Sequence, residues 1–557
     1  MSPPPTNDDV ALLLTRFGQL LELSGESGFR VRAYQKAADA IRHHPAPVAI
    51  LVRDNQLTKL TGVGPAIAAA VSEIVDTGRL NSLSEIEARV PPTLLDLLAI
   101  PSVGSKTVGR LYLEHQITDV PGLEAALNAG KLRGVPGLGA KTEAKILAGI
   151  AALSRRSGRM LLGTALPIAR RLVESIRAEL PMASVTLAGS VRRMDETVGD
   201  IDLVVASAAP EASRAAILGL QEVAGAADES ASWVRIRLLS GTAVDIYLTS
   251  IECFGSALIR ATGNAAHLDE LGNYDDAPDE TTVYERAGLP FIPAELRQGH
   301  FEFDFARSDR IDSLITLEDM KGEFHCHTTW SDGALSVGEM AEAARQRGYQ
   351  FLGISDHSRS LGVANGLDEI RIKEQRVDVA RANEEVRIRV LAGAEVEVNR
   401  SGVLDFSAEV LGNLDVVIAS LHSGLRQPRE ALTDRLERVL RDRHVDIVAH
   451  PSGRLLERRE PGDFDWERAF AVAAETGTAL EINADPARLD LNGELARQAL
   501  AAGCLLSINC DAHHSDGFAN IEFGIATARK AGATPAQVLN CWPIERIEHW
   551  LSTRGQE

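Results

Sequence analysis

The chain has few cysteines, no long apolar run and no excess of basic residues. Its 5 cysteines among 557 residues are scattered without a CxxC pair, which argues against a disulfide framework and favours a reducing cytoplasm. No apolar stretch is long enough to span a bilayer, so we expect no membrane partner, and the polar start MSPPPTNDDV lacks the order of a secretory signal. A formal net charge of −20 argues against a globally basic nucleic-acid binder, but a local basic patch remains compatible with it.

The first 160 residues carry three copies of an apolar residue, a glycine turn and an amphipathic helix, within a chain long enough for several domains. The copies are LTGVGPAIAAAVSEI, IPSVGSKTVGRL and VPGLGAKTEAKIL. Such turns present backbone N–H groups at a helix N-terminus, which suits a phosphate oxygen. Residues 97–159 hold nine Lys or Arg against four Asp or Glu. The pattern resembles helix-hairpin-helix units and predicts DNA-backbone contacts at Gly62, Gly64, Gly104, Lys106, Gly137, Gly139, Lys141 and Lys145.

Residues 161–250 predict an α/β element with a mixed sheet. The string GSVRR followed by GDID places Asp200 and Asp202 on one face of a strand, and Asp245 can face them from the neighbouring strand. Three converging carboxylates suit two Mg²⁺ or Mn²⁺ ions that activate a hydroxyl and stabilise a leaving pyrophosphate. A DxD pair alone is common on exposed strand ends, but the complete string is more specific. The residues predicted to bind the nucleotide are Gly189, Ser190, Arg193 and Gly263. Residues 251–320 predict a connector with little regular structure.

Metal-ligand side chains follow seven short apolar runs in the last 237 residues, at intervals of 27 to 38 residues. That spacing is typical of repeated βα units, whose strand ends meet at one face of a barrel. A single histidine is more often a surface or core residue than a metal ligand. Ligand-type side chains after seven consecutive predicted strands are not explained in that way. Imidazoles with carboxylates suit two or three Mn²⁺ or Zn²⁺ ions. The predicted ligands are His325, His327, Asp332, His357, Glu395, His422, His450, Asp511 and His513.

The order of these parts resembles bacterial family X DNA polymerases (PolX) that carry a C-terminal PHP phosphoesterase domain, from about residue 8 to residue 552. The resemblance implies that Asp200, Asp202 and Asp245 are polymerase metal ligands, that the nine barrel residues bind metal, and that Arg454 holds a substrate phosphate. It also implies metal-dependent 3′→5′ exonuclease and abasic-site processing in base excision repair. The expected partners are gapped or 3′-ended DNA and deoxynucleoside triphosphates, and the expected state is a monomer.

The expected fold is multidomain α/β. It comprises a helical DNA-binding region at 1–160, a nucleotidyltransferase palm at 161–250, a shortened thumb and connector at 251–320, and a distorted (βα)7 PHP barrel at 321–557.

Three departures from the family pattern affect the expected activity. Ala70 stands where members with lyase activity carry a lysine, and a methyl group cannot form a Schiff base. Arg260 and Ala261 replace an aromatic pair, and Leu268 replaces an asparagine that contacts the incoming base. The connector is shorter than the family's thumb, whose closure selects the nucleotide.

Three functions follow from these observations. The first is a repair enzyme that combines DNA polymerase and 3′→5′ nuclease activities. The second is a nuclease or phosphoesterase whose palm is mainly a DNA-holding scaffold. The third is a small-molecule phosphatase resembling histidinol-phosphate phosphatase, against which the hairpin repeats count because a small substrate needs no backbone grip.

Overall fold

The computed structural model divides the chain into two compact units, Met1–Ser157 and Gly158–Glu557. The residues that it describes are 5, 7–26, 28–42, 48–60, 62–87, 89–98, 100, 103–132, 135, 139, 142–147, 149–150 and 159–553. Within these ranges, none of the helices combines the length and apolar character needed to cross a bilayer.

The first unit is helical. Its described helices are Asn7–Leu23, Gly28–Arg42, Val48–Arg53, Pro65–Thr77, Asn81–Glu87, Leu94–Leu98, Ser105–His115 and Val120–Asn128. One apolar core runs from Val10 to Ile150. The helix Pro65–Thr77 begins where proline fits the first turn and ends at Gly78, whose φ of 70° only glycine adopts readily. These short amphipathic helices are stable because they bury their apolar faces against one another.

The second unit begins with a palm-like α/β segment. Its strands are β1 (Met160–Leu161), β2 (Ser184–Ala188), β3 (Thr197–Val198), β4 (Ile201–Ala206), β5 (Val223–Ser230), β6 (Trp233–Leu238) and β7 (Ala243–Thr249). Its helices are Leu162–Glu179, Gly189–Arg192 and Pro210–Leu218. Five strands form a mixed sheet in the order β2-β4-β7-β6-β5, and β4 pairs with β7 in parallel so that Asp202 lies beside Asp245. The predicted mixed sheet is confirmed.

The last part of the chain forms a nearly closed parallel barrel. Its strands are β8 (Gly322–Glu323), β9 (Phe351–Ile354), β10 (Arg389–Glu397), β11 (Val416–Ser420), β12 (Ile447–Val448), β13 (Ala479–Asn483) and β14 (Leu506–Asn509), in sequential order. The helices are Val337–Gln346, Glu369–Glu385, Ala408–Leu411, Arg429–Leu440, Trp466–Thr476, Gly493–Ala501, Ile521–Lys530 and Ile544–Thr553. A parallel bridge between Cys326 and Ala512 joins the first and last strands beyond their ends. The predicted seven-stranded barrel is therefore confirmed.

The connector between β7 and β8 is more regular than the sequence suggested. The expectation of little regular structure was wrong, because the segment contains the helices Phe254–Thr262, Ala265–Leu271, Glu280–Arg286 and Glu302–Arg307. Asn264 and Asp279 cap two of these helices by accepting backbone N–H bonds, which explains why polar, proline-rich sequence nevertheless folds as short helices. No strand is described between residues 250 and 321, all of which the structure describes, so the segment lacks a hairpin.

A buried ion network fixes the connector to the palm. Glu280 accepts two hydrogen bonds from Arg192, at 2.8 and 2.5 Å, and one from the fully buried Arg297 at 2.5 Å. Burial alone would raise the pKa of Glu280, but the two arginines hold it below its ordinary value. Because the folded-state pKa is depressed, this stabilisation is present at neutral pH and is lost as the pH falls through the folded-state value.

Salt bridges and shared packing join the palm to the barrel. Arg454 donates two hydrogen bonds to Glu196 at 3.0 and 2.7 Å, and Lys530 contacts Asp195 at 3.0 Å. The apolar core of the palm also includes Leu489 and Phe523 from the barrel. Palm and barrel therefore share a hydrophobic core as well as surface contacts.

We expect the substitution Glu280→Gln to lower the free energy of unfolding of the second unit by roughly 3 kcal/mol, since it leaves the buried Arg297 and the partly buried Arg192 without a counter-charge. Urea denaturation monitored by tryptophan fluorescence measures the change. Glu285→Gln is the matched control, because Glu285 lies on the exposed face of the same helix. Equal stability of the two variants would show that the buried network contributes nothing net.

Candidate metal centre

All nine predicted barrel ligands converge at the carboxyl ends of the strands. Three groups have ligand atoms within 4.8 Å of one another. They are His327 with Asp332, His357 and His513; His325 with His327 and Asp511; and Glu395 with His422 and His450. The first two groups share His327, so the two metal positions that they could form lie next to each other. The convergence expected from strand spacing is what the fold produces, although Glu395 lies inside β10 and not beyond its end.

Two carboxylates occupy the middle of this cluster. Glu395 Oε2 lies 2.6 Å from His357 Nδ1, and its Oε1 lies 3.0 Å from His450 Nε2. Asp511 Oδ1 lies 3.0 Å from His327 Nε2. Both carboxyl groups have pKa values well below their ordinary range, because the surrounding imidazoles outweigh the effect of burial. The cluster therefore contains fixed negative charge surrounded by nitrogen donors.

Several inward-facing ligand atoms are buried without a hydrogen-bond partner. Within the described residues they include His325 Nε2, His327 Nε2, Glu395 Oε2 and Asp511 Oδ1, because the imidazole nitrogens close to the two carboxylate oxygens are not aligned for a hydrogen bond. Buried polar atoms are ordinarily satisfied, so a group of orphaned nitrogen and oxygen donors at one place fits bound cations. The backbone supports the same conclusion, because His450 and Asp511 adopt left-handed conformations with φ of 28° and 54°.

The imidazoles differ in protonation. Burial, together with neighbouring imidazoles, lowers the pKa of His327 to about 4, and burial lowers that of His450 to about 4. Burial alone would lower the pKa of His513, but Asp332 and Asp511 raise it to about 9. At neutral pH the first two are therefore ready as neutral ligands, whereas ligation by His513 would release a proton.

Two glutamates orient histidines in the cluster. Glu397 Oε2 lies 2.7 Å from His422 Nδ1, and Glu481 Oε1 lies 2.8 Å from His325 Nδ1, so the Nε2 atom of each ring is left for a metal. Sequence reasoning missed Glu397, although its position two residues after Glu395 on the same strand face was an available signal. Glu481 was not among the predicted ligands, and the structure places it where it orients the ring of His325.

Asp356 supports a neighbouring loop and is not among the clustered ligands. Its carboxylate accepts hydrogen bonds from the Thr328 backbone N–H at 2.7 Å, the Ser331 hydroxyl at 2.5 Å and the Gln375 amide at 2.7 Å. These bonds hold the loop that carries Asp332. The carboxylate of Asp356, next to the ligand His357 in sequence, therefore has a structural role.

The palm carboxylates also converge, but an arginine lies among them. Arg235 from β6 contacts Asp245 through two bonds of 2.6 Å and contacts Asp200 at 2.9 Å. Burial and the charges of Asp200 and Asp245 raise the pKa of Asp202 to about 7. The carboxylates fit divalent cations in kind and placement, but Arg235 now neutralises two of them. Sequence reasoning missed Arg235, because the sequence does not show that Arg235 lies opposite Asp245 on the neighbouring strand.

The predicted nucleotide-binding residues lie around this carboxylate group. A Cβ on Gly189 would collide with the Asp202 carboxylate, and Gly189 has φ of 59°, so this position requires glycine. Ser190, which is half-buried, follows it in the short helix Gly189–Arg192. Arg193, predicted to face a triphosphate, instead donates to Asp195 at 2.7 Å and to the Thr262 carbonyl at 2.7 Å.

Residues at the departures from the family pattern contact different neighbours. The Leu268 side chain lies 2.9 Å from the Cβ position of Gly263. The Arg260 guanidinium lies 5.6 Å from the centre of the Tyr274 ring, while Ala261 packs against a small apolar cluster. The ring of Tyr274 therefore contacts one of the residues that replace the aromatic pair, a contact that sequence reasoning did not include.

The hairpin residues are partly described. Gly64 and Gly104 cap helices, and a Cβ at either, or at Gly139, would meet open space, so these turns are accessible. Lys106 and Lys145 are exposed. Gly62 has φ of 89°, and a Cβ at this position would lie 3.1 Å from the side chain of Lys36. Gly137 and Lys141 lie outside the described residues. Ala70 is buried, at 8% exposure.

Arg454 is held at the joint between palm and barrel. Besides Glu196, its guanidinium contacts the Leu489 carbonyl, and the residue is only 8% exposed. A substrate phosphate would have to replace these partners.

Comparison with known proteins covers almost the whole chain. A protein from Bacillus subtilis (strain 168) named DNA polymerase/3'-5' exonuclease PolX is 35% identical over 567 residues, which is 98% of this chain and 99% of that protein. Family models match a helix-hairpin-helix domain at residues 5–80, a SAM-like helix-hairpin-helix tandem at 94–152 and a PHP domain at 323–485.

Shorter relatives match less than half of the chain. A probable phosphatase from Thermoanaerobacter sp. (strain X514) is 26% identical over 247 residues, which is 42% of this chain and 95% of that protein. Another from Shewanella frigidimarina (strain NCIMB 400) is 27% identical over 248 residues, at 42% and 94%.

We expect Glu397→Ala to weaken Mn²⁺ binding to the barrel by about 10- to 100-fold, because His422 loses the acceptor that fixes its ring and tautomer. Free Mn²⁺ measured by electron paramagnetic resonance during titration of the full chain gives the affinity. Glu409→Ala is the control, since Glu409 is exposed outside the cluster. An unchanged affinity for Glu397→Ala would contradict an orienting role.

Proposed function

The chain belongs to the PolX family of bacterial DNA polymerase/3′-5′ exonucleases, and from that premise we propose that it is a DNA repair enzyme whose barrel is a metal-dependent 3′→5′ exonuclease. The observation that carries the proposal is the convergence of nine ligands with orphaned inward-facing atoms. Related 3′-end and abasic-site processing at the same centre is part of the proposal.

The barrel ligands would hold two or three ions, and their many imidazoles favour Mn²⁺ or Zn²⁺ over Mg²⁺. When bound, such ions supply Lewis acidity toward a phosphodiester and an activated water. The protein contributes the fixed orientation of the ligands. Glu397 and Glu481 hold His422 and His325, and Asp332, which is 34% exposed, lies at the open side of the cluster where substrate would approach.

We propose that the palm is a weak DNA polymerase that uses Mg²⁺ or Mn²⁺ and deoxynucleoside triphosphates. Retention of Asp200, Asp202 and Asp245 supports nucleotidyl transfer. Two features support low efficiency: Arg235 must leave Asp200 and Asp245 before cations can bind there, and the Glu280 network ties the connector to the palm. Closure over a nascent base pair is how such enzymes select nucleotides, so a tied connector limits selection.

The second candidate is a nuclease whose palm only holds DNA, and the position of Arg235 favours it. The third, a small-molecule phosphatase, has support from the probable phosphatases that match 42% of the chain. The full-length relative and both helix-hairpin-helix matches favour a DNA substrate over that alternative.

We propose that the hairpin turns grip the backbone of gapped or 3′-ended DNA without reading sequence. The open glycine turns and exposed Lys106 and Lys145 support phosphate contacts. We retain the four predicted domains, the monomeric state and the cytoplasmic location as parts of this proposal. Absence of a lysine at Ala70 supports loss of the Schiff-base lyase activity.

We expect the double substitution His325→Ala and His327→Ala to abolish degradation of a primer 3′ end, since both residues belong to the ligand sets. Binding of gapped DNA should remain, because the proposed grip lies in the hairpins. Denaturing gels and fluorescence anisotropy measure the two properties. His549→Ala is the control, as His549 is exposed on the last helix. Wild-type degradation by the double variant would refute the nuclease assignment.

We expect primer extension to be weak and to discriminate poorly between ribo- and deoxynucleotides. Extension should be measured in the His325→Ala, His327→Ala background so that degradation does not mask synthesis. Adding Asp200→Ala and Asp202→Ala should remove it, whereas Asp228→Ala, on the exposed edge strand, should not. Fast and accurate gap filling would contradict the expected weakness, and no extension at all would favour the scaffold candidate.

A further inference from the structure

A cavity of about 440 Å³ opens beside the ligand cluster. His422 belongs both to the cavity wall and to one of the ligand groups. The loop after β10 forms another wall with Asn399, Arg400 and Val403. A small-molecule site commonly has this size, so the cavity can receive one nucleotide-sized group next to the metal centre.

The carboxylates of this cavity are already engaged. Glu397 holds His422 at 2.7 Å, and Asp405 accepts the Ser360 backbone N–H at 2.7 Å and its hydroxyl at 2.5 Å. Arg400 makes no ion pair or side-chain hydrogen bond within residues 159–553 of the structure. Arg400 is the one arginine among the residues that line the cavity, which holds no lysine, and its guanidinium is available to pair with a phosphate, while Glu397 and Asp405 keep hydrogen bonds of their own.

The loop that carries Arg400 is nevertheless ordered. The Asn399 side chain accepts from the backbone N–H groups of Ser401 at 2.8 Å and Val403 at 3.2 Å. The Gln427 amide donates to the Arg400 carbonyl at 3.2 Å. An arginine on a fixed loop binds a phosphate with less loss of conformational freedom than one on a mobile loop.

An apolar surface completes the cavity. Val403 is 58% exposed, and the half-buried Leu361 and Leu404 also line the wall. Exposed apolar groups beside Arg400 and the hydroxyl groups of Ser360 and Ser423 suit a ligand with a flat apolar part and a charged part. A nucleotide has both.

We propose that this cavity binds the 3′-terminal nucleotide of the strand being degraded, with Arg400 pairing with the phosphate of that nucleotide. In the hydrolysis, a water oxygen bonds to this phosphorus, and the bond from phosphorus to the 3′ oxygen of the penultimate nucleotide breaks. That oxygen takes up a proton, and a nucleoside 5′-monophosphate leaves. The proposal rests on the nuclease function proposed above and names its product-binding subsite.

Binding of the product nucleotide tests the cavity directly. Calorimetric titration of the full chain with dTMP, in the presence of Mn²⁺, compares the wild type with Arg400→Ala and Arg387→Ala. Arg387 is the matched control, because it is exposed and precedes β10 whereas Arg400 follows the same strand. We expect Arg400→Ala to weaken dTMP binding about tenfold, the effect of losing one charge-assisted hydrogen bond, and Arg387→Ala to leave it unchanged.

Two further arms locate the contacts. Thymidine, which lacks the phosphate, should bind equally to the wild type and to Arg400→Ala, whereas Val403→Asp should weaken both ligands. Equal dTMP affinity of the two arginine variants would overturn the proposal, even if both proteins fold and bind metal normally.

Turnover separates this proposal from the nuclease assignment. The Arg400→Ala substitution should raise KM about tenfold both for a 3′-hydroxyl oligonucleotide and for bis(p-nitrophenyl) phosphate, because both place the phosphate under attack beside Arg400, whereas Arg387→Ala should leave both KM values unchanged. A wild-type protein that hydrolyses neither substrate would refute the nuclease, while dTMP binding would still decide the cavity. A wild-type nuclease whose KM for DNA is unaffected by Arg400→Ala would refute the cavity alone.

Discussion

The burial of opposite charges at the carboxyl end of the barrel is the constraint on which the rest of the site depends. Glu395 is buried, the Asp511 side chain is 10% exposed, and both lie within contact distance of several imidazoles. Removing such groups from water costs several kcal/mol per ion unless charge and hydrogen bonds compensate. Several features of the fold place imidazoles around these two carboxylates. They are the strand ends, the left-handed backbone at His450 and the glutamates that orient the rings. The fold can satisfy the buried carboxylates with protons on histidine or with cations.

The same principle governs the palm, with a different outcome. Asp200 and Asp245 face a guanidinium from a neighbouring strand, so their charge is already balanced by the protein. In the barrel, by contrast, donor atoms remain without hydrogen-bond partners. A cation that binds in the palm must displace Arg235, whereas a cation that binds in the barrel has no such competitor among these atoms. This difference supports a nuclease that is more active than the polymerase.

Much of this architecture could be predicted because it depends on local sequence. Strand-length apolar runs ending in ligands identified the barrel, and the DxD string identified the palm sheet. What could not be predicted depends on contacts across strands or segments. Arg235 pairs with Asp245 through sheet register, and Arg454 meets Glu196 across 258 positions of sequence. The connector was misjudged for a related reason, since its short helices are fixed by caps and by Glu280, which composition does not reveal.

The joint between palm and barrel has a consequence for how DNA is handled. Leu489 and Phe523 of the barrel lie in the palm's own core, and Lys530 and Arg454 bind the turn that precedes Asp200. The separation between the two acidic centres is therefore set by packed protein and not by a hinge. Under the proposed function, a primer end is then not passed from one centre to the other by swinging the barrel against the palm. The strand itself would have to travel, so the ease with which its last base pairs open would decide whether a terminus is lengthened or shortened.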